Sequence, residues 1–309
     1  MKRKLFTLML VTLSILSLMG ASYARDRAET IVSVTAGSSL LEAQPASNYV
    51  AQNAVSALDF AVDYSIIIDG QAAALKTHRT EIEGVTYVAL VNMVKMLNIS
   101  ANIAWDAETN ATTITTDDLT FTAQEGMMYV VANERYLYLS QGVVVQNGTM
   151  LLPLETIVEA LGGTMVEVEG LDAYQIARGT SAILAGDEFY NEEDLFWLSR
   201  VVYAESGHEP LSGQMGVAMV VMKRVEDPRY PDTIHDVLAQ NNQFSTYKNG
   251  ALADRTPNES STIAAKLVLD GGIVESLVAA THFDSIPSGS WADRNLDTIE
   301  VIGGHRFYG

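Results

Sequence analysis

An internal duplication constrains the fold of residues 65–179 more than any other feature of the chain. The segment Gly84–Leu90 aligns with Gly148–Leu154 at an offset of 64 residues, and each is followed by apolar residues spaced i, i+4 and i+7. This spacing predicts a helix after a short strand, and alternating stretches beyond each helix predict two more strands. We therefore expect an α+β domain of two β-α-β-β units. The matched apolar positions are Leu90 with Leu154, Val94 with Val158, and Leu97 with Leu161.

The start of the chain has the composition of a secretory signal peptide. Basic residues at 2–4 precede an apolar run over residues 5–19, and residues 22–24 match the small-x-small cleavage pattern. We therefore expect residues 1–24 to be removed on export. Residues 25–64 are rich in Ala, Ser, Gln and Asn without clear periodicity, so they are predicted to form a mostly disordered spacer.

Cysteine content and net charge limit the classes of function that suit the chain. The sequence has no cysteine, so after export it has no disulfides, and each domain must be large enough to be stabilised by its own core. The formal net charge of −19 argues against nucleic acid and anionic lipid surfaces as partners, whereas a neutral or cationic glycan stays compatible with it. Beyond the signal peptide we expect no transmembrane segment.

A glutamate in the second predicted domain, residues 188–309, is the main candidate for catalysis. Glu205 lies near the end of a helix predicted from an N-cap at Asn191 to a stop at Gly207. Apolar residues three, four and seven positions earlier share its face, so we expect desolvation to raise its pKa, as a general acid requires. A surface glutamate at a frayed helix end would show the same pattern. The apolar positions are Val202, Val201 and Leu198.

The next helix is predicted to form the core of this domain. The helix is predicted over residues 210–225, and its segment 213–222 is apolar nearly all round, which is typical of a buried helix. Gly213 and Gly216 are unfavourable inside a helix unless another backbone packs closely against them. We expect such a neighbour, with the Glu205 helix as the candidate.

Polar and aromatic residues are interleaved in the rest of the domain. Gln243, Phe244 and Ser245 place amide and hydroxyl groups beside an aromatic ring, which suits the hydroxyl edges and apolar faces of a sugar. A turn with a buried phenylalanine would look the same. Alternating stretches over residues 280–284 and 298–308 predict an antiparallel hairpin.

Several motifs of residues 190–309 occur together in the order typical of one family. They are Val-Tyr-Ala-Glu ending at Glu205, Gly-Gln-Met-Gly-Val-Ala-Met-Val-Val-Met-Lys-Arg-Val from Gly213, Gln-Phe-Ser from Gln243, Ala-Thr-His-Phe from Ala280 and Ile-Gly-Gly-His-Arg-Phe-Tyr from Ile302. The region resembles the SleB-type cell wall hydrolases, the spore cortex-lytic enzymes. The resemblance implies a mainly helical, lysozyme-like domain with a small antiparallel sheet. It also implies cleavage of the peptidoglycan glycan strand with Glu205 as acid/base.

Residues 65–179 resemble the copper amine oxidase N-terminal-like domain of exported proteins. This region has one histidine, His78, and no cysteine, which cannot build a copper site. Its lack of a titratable cluster favours a spacer or stalk that presents the second domain. The histidines of the second domain lack the i, i+4 pairing of a zinc-binding helix, so we expect neither a metal nor another cofactor.

Three functions stay open for the second domain, each with peptidoglycan of the spore cortex or vegetative wall as partner. A lytic transglycosylase acting between N-acetylmuramic acid and N-acetylglucosamine needs one carboxyl group, that of Glu205. A two-carboxylate glycoside hydrolase needs a second, with Glu209 and Asp284 as candidates. A non-catalytic binding or assembly protein would need no carboxyl group in this helix. The residues assigned to substrate binding are Tyr203, Gln243, Phe244, Ser245, His282, Trp291 and His305.

Overall fold

The computed structural model describes residues 66–73, 78–168, 173–241, 243–244, 246–247, 250–287 and 289–309. The predicted signal peptide, the predicted spacer and Ser245 lie outside these residues. The described chain divides into two compact units. The N-terminal unit comprises residues up to Ile103, Thr115–Leu119 and Val145–Ile183, and the C-terminal unit comprises Ala104–Ile114, Thr120–Val144 and Leu184–Gly309.

Strands dominate the chain before residue 180, and helices dominate it afterwards. The earlier strands are β1 (Ile66–Ile68), β2 (Gln71–Ala72), β3 (Arg79–Ile82), β4 (Val85–Ala89), β5 (Asn102–Asp106), β6 (Ala111–Thr115), β7 (Thr120–Gln124), β8 (Tyr129–Ala132), β9 (Arg135–Tyr138), β10 (Val144–Gln146), β11 (Thr149–Pro153), β12 (Thr164–Glu167) and β13 (Tyr174–Ala177). The helices among them are α1 (Leu90–Leu97) and α2 (Leu154–Ala160).

The later elements form a helical region that ends in three strands. The helices are α3 (Gly186–Phe189), α4 (Glu192–Ser206), α5 (Leu211–Glu226), α6 (Ile234–Ala239), α7 (Glu259–Leu269) and α8 (Trp291–Asn295), with a 3₁₀ turn over Glu275–Leu277. The strands are β14 (His282–Ser285), β15 (Thr298–Ile302) and β16 (His305–Tyr308). None of the described helices combines the length and the apolar composition needed to cross a membrane.

The two halves of the predicted duplication share a strand and a helix, but their later strands join different sheets. β4 and β11 pair antiparallel, with Val88 opposite Leu152, and each runs directly into a helix. Beyond α1 the chain enters β5 and β6 of a sheet in the order β5-β6-β7-β8-β9. Beyond α2 it enters β12 and β13, and β13 runs parallel to β1. The prediction of two equivalent β-α-β-β units is therefore not confirmed.

The repeated apolar positions nevertheless form much of the core of the N-terminal unit. Five of the six side chains are buried, and Leu161, just beyond α2, is half-buried. Gly162 follows with a φ of +69°, a left-handed conformation that glycine adopts without strain and that ends the helix where the sequence predicts. The buried side chains are Leu90, Val94, Leu97, Leu154 and Val158.

Helix α4 places Glu205 beside the core of the C-terminal unit. The side-chain oxygen of Asn191 accepts hydrogen bonds from the backbone N–H groups of Glu193 and Asp194 at 2.9 and 3.1 Å, which confirms the predicted N-cap. Helices α5 and α7 pack against α4. The predicted apolar stripe is fully buried there, and each such side chain contributes about 1.5–3 kcal/mol. It consists of Leu198, Val201 and Val202.

The five-stranded sheet belongs mostly to the C-terminal unit, where its last strand, β9, contacts α7. Arg135 on β9 donates from Nε to a carboxylate oxygen of Asp270, the C-cap residue directly after α7, at 3.1 Å, and also from Nη2. The Tyr190 hydroxyl donates to the same carboxylate at 2.7 Å. The compact units therefore divide the chain differently from the predicted boundaries at 65–179 and 188–309.

The tail forms a three-stranded antiparallel sheet in the order β14-β16-β15. Both stretches predicted as a hairpin belong to it. The central strand, β16, pairs with β14 so that Phe283 lies opposite Phe307, and with β15 on its other side. Phe307 is fully buried, so this sheet is anchored in the core.

The atoms nearest to the glycines of α5 belong to side chains, and at Gly213 the backbone carbonyl oxygen of Ile302 also lies 3.8 Å from the Cβ position. A Cβ atom at Gly216 would lie 2.6 Å from Cδ1 of Leu277 and 2.7 Å from Cζ of Phe307. A Cβ atom at Gly213 would lie 3.3 Å from Cγ2 of Ile302. These neighbours come from the 3₁₀ turn and the tail sheet. The prediction that the backbone of the Glu205 helix packs there is therefore wrong.

We expect Gly216→Ala to lower the free energy of unfolding by about 1–3 kcal/mol, because the added methyl group overlaps a buried ring and a buried leucine. Gly213→Ala is the matched control in the same helix. Its nearest neighbour is 3.3 Å away, and alanine improves helix propensity by about 1 kcal/mol. Urea unfolding followed by circular dichroism measures both variants. A Gly216→Ala midpoint equal to that of the wild type would contradict the packing described for this helix.

Candidate active site

An open cleft of about 520 Å³ lies in the C-terminal unit. It contains carboxyl, guanidinium, amide, imidazole and indole groups, and five of the residues assigned from the sequence line it. These are Glu205, Gln243, Phe244, His282 and Trp291. The structure adds further lining residues, namely Arg224, Phe283, Asp284, Ser285, Ser290 and Ala292.

Glu205 lies at the second-last position of α4, and its side chain is half-buried at the cleft. The hydroxyl of Thr246 donates to Oε1 of Glu205 at 2.8 Å. This bond fixes the carboxyl group and occupies one of its two oxygens. Among the described residues none forms a hydrogen bond with Oε2, the other oxygen of this carboxyl group.

The chain that follows Glu205 is held by two amide side chains, the exposed Asn258 and the buried Gln214. Asn258 donates from Nδ2 to the carbonyl oxygen of Gly207 at 2.9 Å. Gln214, buried in α5, donates from Nε2 to the carbonyl oxygen of Glu209 at 2.8 Å, and its own oxygen accepts from the hydroxyl of Ser261 at 2.8 Å. These bonds join the end of α4 to α5 and α7, so the carboxyl group is supported by rigid elements.

Arg224 forms the buried wall of the cleft. It lies near the end of α5, and its Nε and Nη2 donate to the carbonyl oxygen of Thr281 at 3.2 and 3.0 Å. Its Nη1 donates to Oε1 of Gln243 at 3.0 Å. Burial lowers the pKa of the guanidinium. The arginine therefore connects two segments of the cleft that are far apart in sequence.

His282 and Trp291 form an aromatic pair at the cleft. Their ring centroids lie 5.9 Å apart, and the indole is 58% exposed. Burial lowers the pKa of His282, and the charge of Arg224 lowers it further, whereas Asp284 opposes the shift. The imidazole is therefore mainly neutral at pH 7, and the exposed indole presents an apolar face to a ligand.

Asp284 and Glu209 differ in their relation to the cleft. Asp284 lines it and accepts a hydrogen bond from the hydroxyl of Ser290. The Glu209 carboxylate instead accepts from the backbone N–H of Gly304 at 2.7 Å and does not line the cleft. Of the two residues considered as a second carboxylate, only Asp284 shares the cleft with Glu205.

Tyr203 and His305 lie outside the cleft lining. The ring of Tyr203 lies against Gly207, where a Cβ atom would be 2.7 Å from its Cδ2. His305 is buried on β16, its ring 5.6 Å from that of Phe283 and its Nδ1 3.6 Å from the Glu209 carboxylate. Neither of these two residues, both assigned to substrate binding from the sequence, shares the cleft with Glu205. In sequence, a buried histidine on a strand shows the same alternation as an exposed one.

Two residues that contact the site were missed in the sequence. Thr246 directly follows the Gln-Phe-Ser motif, and Arg224 follows Lys223 at the end of the apolar run of α5. A charged residue within a buried helix is a signal that a neutral oxygen or a carboxylate lies nearby, because its N–H groups need partners. Across the described part of the chain no three His, Asp or Glu side chains are grouped so that they could hold a metal ion.

Two family profiles match the chain. The copper amine oxidase N-terminal domain matches residues 67–170, and the cell wall hydrolase family matches residues 208–308. The second match begins three residues after Glu205.

Spore cortex-lytic enzymes are among the similar proteins. The one from Bacillus cereus is 36% identical over 81 residues, which are 26% of this chain and 30% of that protein. The one from Bacillus subtilis is 27% identical over 82 residues, which are 26% of this chain and 27% of that protein. The chain thus spans less than a third of the length of these relatives.

Two solved structures are also similar to this chain. The catalytic domain of the Bacillus cereus SleB protein is 27% identical, and the match covers 39% of this chain and 92% of that one with a TM-score of 0.35. The catalytic domain of the germination-specific lytic transglycosylase SleB from Bacillus anthracis is 28% identical over 39% of this chain and 97% of that one, also with a TM-score of 0.35. The family profiles show that the chain carries a cell wall hydrolase domain at residues 208–308, preceded by a copper amine oxidase N-terminal domain at residues 67–170.

Proposed function

We propose that this chain is an exported enzyme that cleaves the glycan strand of peptidoglycan, with Glu205 as general acid and base. One observation carries the proposal: a half-buried carboxyl group, fixed by Thr246, lies in the same cleft as an exposed tryptophan. The family profile at residues 208–308 and the spore cortex-lytic relatives support the choice of peptidoglycan. Cell wall or spore envelope is the corresponding location.

The chemistry that needs fewest groups is that of a lytic transglycosylase. Protonated Glu205 would give its proton to the glycosidic oxygen between N-acetylmuramic acid and N-acetylglucosamine, so that the C1–O bond breaks. The resulting carboxylate would take the proton from the 6-hydroxyl of the muramic acid, whose oxygen forms a new bond to C1. The product is a 1,6-anhydro sugar, and Glu205 regains its proton. One carboxyl oxygen of Glu205 is held by Thr246 and the other has no described partner, which fits this double role as acid and base.

The aromatic pair supports binding of a sugar ring. An indole that is 58% exposed in a cleft offers an apolar surface to the C–H face of a pyranose, and the polar groups beside it suit the hydroxyl edge. His282, mainly neutral, can donate or accept a hydrogen bond with a hydroxyl group. These contacts position the glycan across Glu205.

A two-carboxylate hydrolase is the second candidate. The position of Asp284 favours this residue over Glu209 as the second carboxylate. Asp284 lines the cleft with Glu205, whereas Glu209 is bonded to the tail sheet. In this mechanism a water molecule attacks C1, and the product carries an ordinary reducing end.

Mass spectrometry of the soluble products distinguishes these functions. Purified protein lacking the signal peptide is incubated with spore cortex and with vegetative peptidoglycan in parallel. We expect 1,6-anhydro-muramic products from at least one substrate. Reducing-end muramic products would replace the transglycosylase mechanism by hydrolysis, and no products from either substrate would favour a non-catalytic binding protein.

A further inference from the structure

Gln243 is the exposed amide of the cleft, and its orientation is determined by Arg224. A guanidinium group only donates hydrogen bonds, so the atom of Gln243 that faces Nη1 of Arg224 at 3.0 Å must be the carbonyl oxygen. The amide nitrogen then points away from Arg224 with two N–H groups. No described residue accepts a hydrogen bond from it, so its donors are available to a ligand.

Arg224 is itself immobilised, so the orientation of Gln243 is built into the fold. Its guanidinium is bonded twice to the carbonyl oxygen of Thr281, and its side chain is 4% exposed. The rings of Tyr230 and Phe244 each lie 5.5 Å from its central carbon. Among the described residues no carboxylate forms an ion pair with it. A buried cation whose hydrogen bonds go to neutral oxygens acts here as a fixed scaffold for the amide.

The geometry points to the chemical group that Gln243 recognises, and this inference rests on the proposed function. We propose that Nε2 of Gln243 donates a hydrogen bond to the acetamido carbonyl oxygen of an N-acetylated sugar next to the scissile bond. Hydroxyl groups rotate to meet either a donor or an acceptor, whereas an acetamido carbonyl only accepts. A site that directs a fixed donor at the ligand and turns its own acceptor toward Arg224 therefore suits a group that only accepts, such as this carbonyl.

The position of Gln243 close to Thr246 in the sequence agrees with this assignment. Gln243 precedes Thr246 by three residues, and Thr246 bonds Glu205. The same short segment thus holds the acid and presents the amide. A sugar whose acetamido group is bonded there has its glycosidic oxygen placed relative to Glu205, which makes Gln243 a substrate-binding residue and Arg224 a positioning residue.

Gln243→Glu separates recognition of substrate from support of Arg224. The carboxylate keeps an oxygen for Nη1 and adds an ion pair, but it has no N–H group. We expect this variant to melt at or above the wild-type temperature, whereas kcat/KM on soluble glycan fragments falls about 10- to 100-fold. If Gln243 only holds Arg224, the variant keeps wild-type kcat/KM, and that result overturns the proposal.

A second comparison identifies the substrate atom. Wild type and the uncharged variant Gln243→Met are assayed on N-acetylated glycan and on chemically de-N-acetylated glycan. We expect de-N-acetylation to reduce kcat/KM clearly more for wild type than for Gln243→Met, because the variant has no bond to lose. Equal losses would overturn the acetamido assignment. Glu205→Gln is run beside them: full activity of that variant would contradict the proposed function itself, whereas an inactive Glu205→Gln with an unaffected Gln243→Glu contradicts only this inference.

Discussion

Glu205→Gln is expected to reduce turnover of peptidoglycan by about 10²- to 10⁴-fold, the contribution typical of a positioned general acid/base. Glutamine has the shape of the glutamate and retains an oxygen for the hydroxyl of Thr246, so the bond at 2.8 Å can persist. It has no acidic proton for the glycosidic oxygen and cannot take one from the attacking hydroxyl. The rate of release of soluble glycan fragments measures the loss.

Glu209→Gln provides the matched control for this result. It is the same substitution four residues later, and this carboxylate lies outside the cleft, bonded to the N–H of Gly304. The glutamine oxygen can still accept that bond, so turnover close to wild type is expected. Melting temperatures of both variants show whether a lost rate reflects unfolding. A folded Glu205→Gln protein with undiminished turnover would eliminate Glu205 as the acid.

The elements around Glu205 were predictable because their signals are local. A cap at Asn191 and apolar residues at helical spacing depend on neighbours within a few positions, and the structure confirms both. The same holds for Gly162, whose conformation follows from the sequence of its own turn. In such features the residues that determine the local structure lie in the same short segment that adopts it.

Features that depend on distant partners were not predictable in the same way. Which sheet β5 and β6 join depends on the strands with which they pair, and the repeat pattern does not specify these pairings. His305 alternates with its neighbours as a cleft residue would, and only the packing of Phe283 shows that it is buried. Arg224 contacts Gln243 and Thr281 across 19 and 57 positions of the chain, so its role emerges only from tertiary structure.

The buried ion pair between Arg135 and Asp270 is another contact between residues that are far apart in the sequence. The side chains are 10% and 1% exposed. Tyr190 donates to the same carboxylate, and burial together with this hydrogen bond raises the pKa of Tyr190. These contacts connect β9 to the end of α7 within the C-terminal unit. No residue of the cluster lines the cleft.

Asp270→Asn is therefore expected to lower the free energy of unfolding by about 3–5 kcal/mol, because it removes the buried carboxylate that pairs with Arg135 and accepts from Tyr190. Urea unfolding measures the change. Asp227→Asn is the matched control: Asp227 pairs with Arg229, whose side chain is 76% exposed, so solvent replaces the lost contact and the midpoint stays near that of the wild type. Since Asp270 does not line the cleft, Asp270→Asn protein kept well below its melting temperature should retain turnover. A wild-type unfolding midpoint for Asp270→Asn would mean that the junction of β9 and α7 does not contribute to the stability of the C-terminal unit.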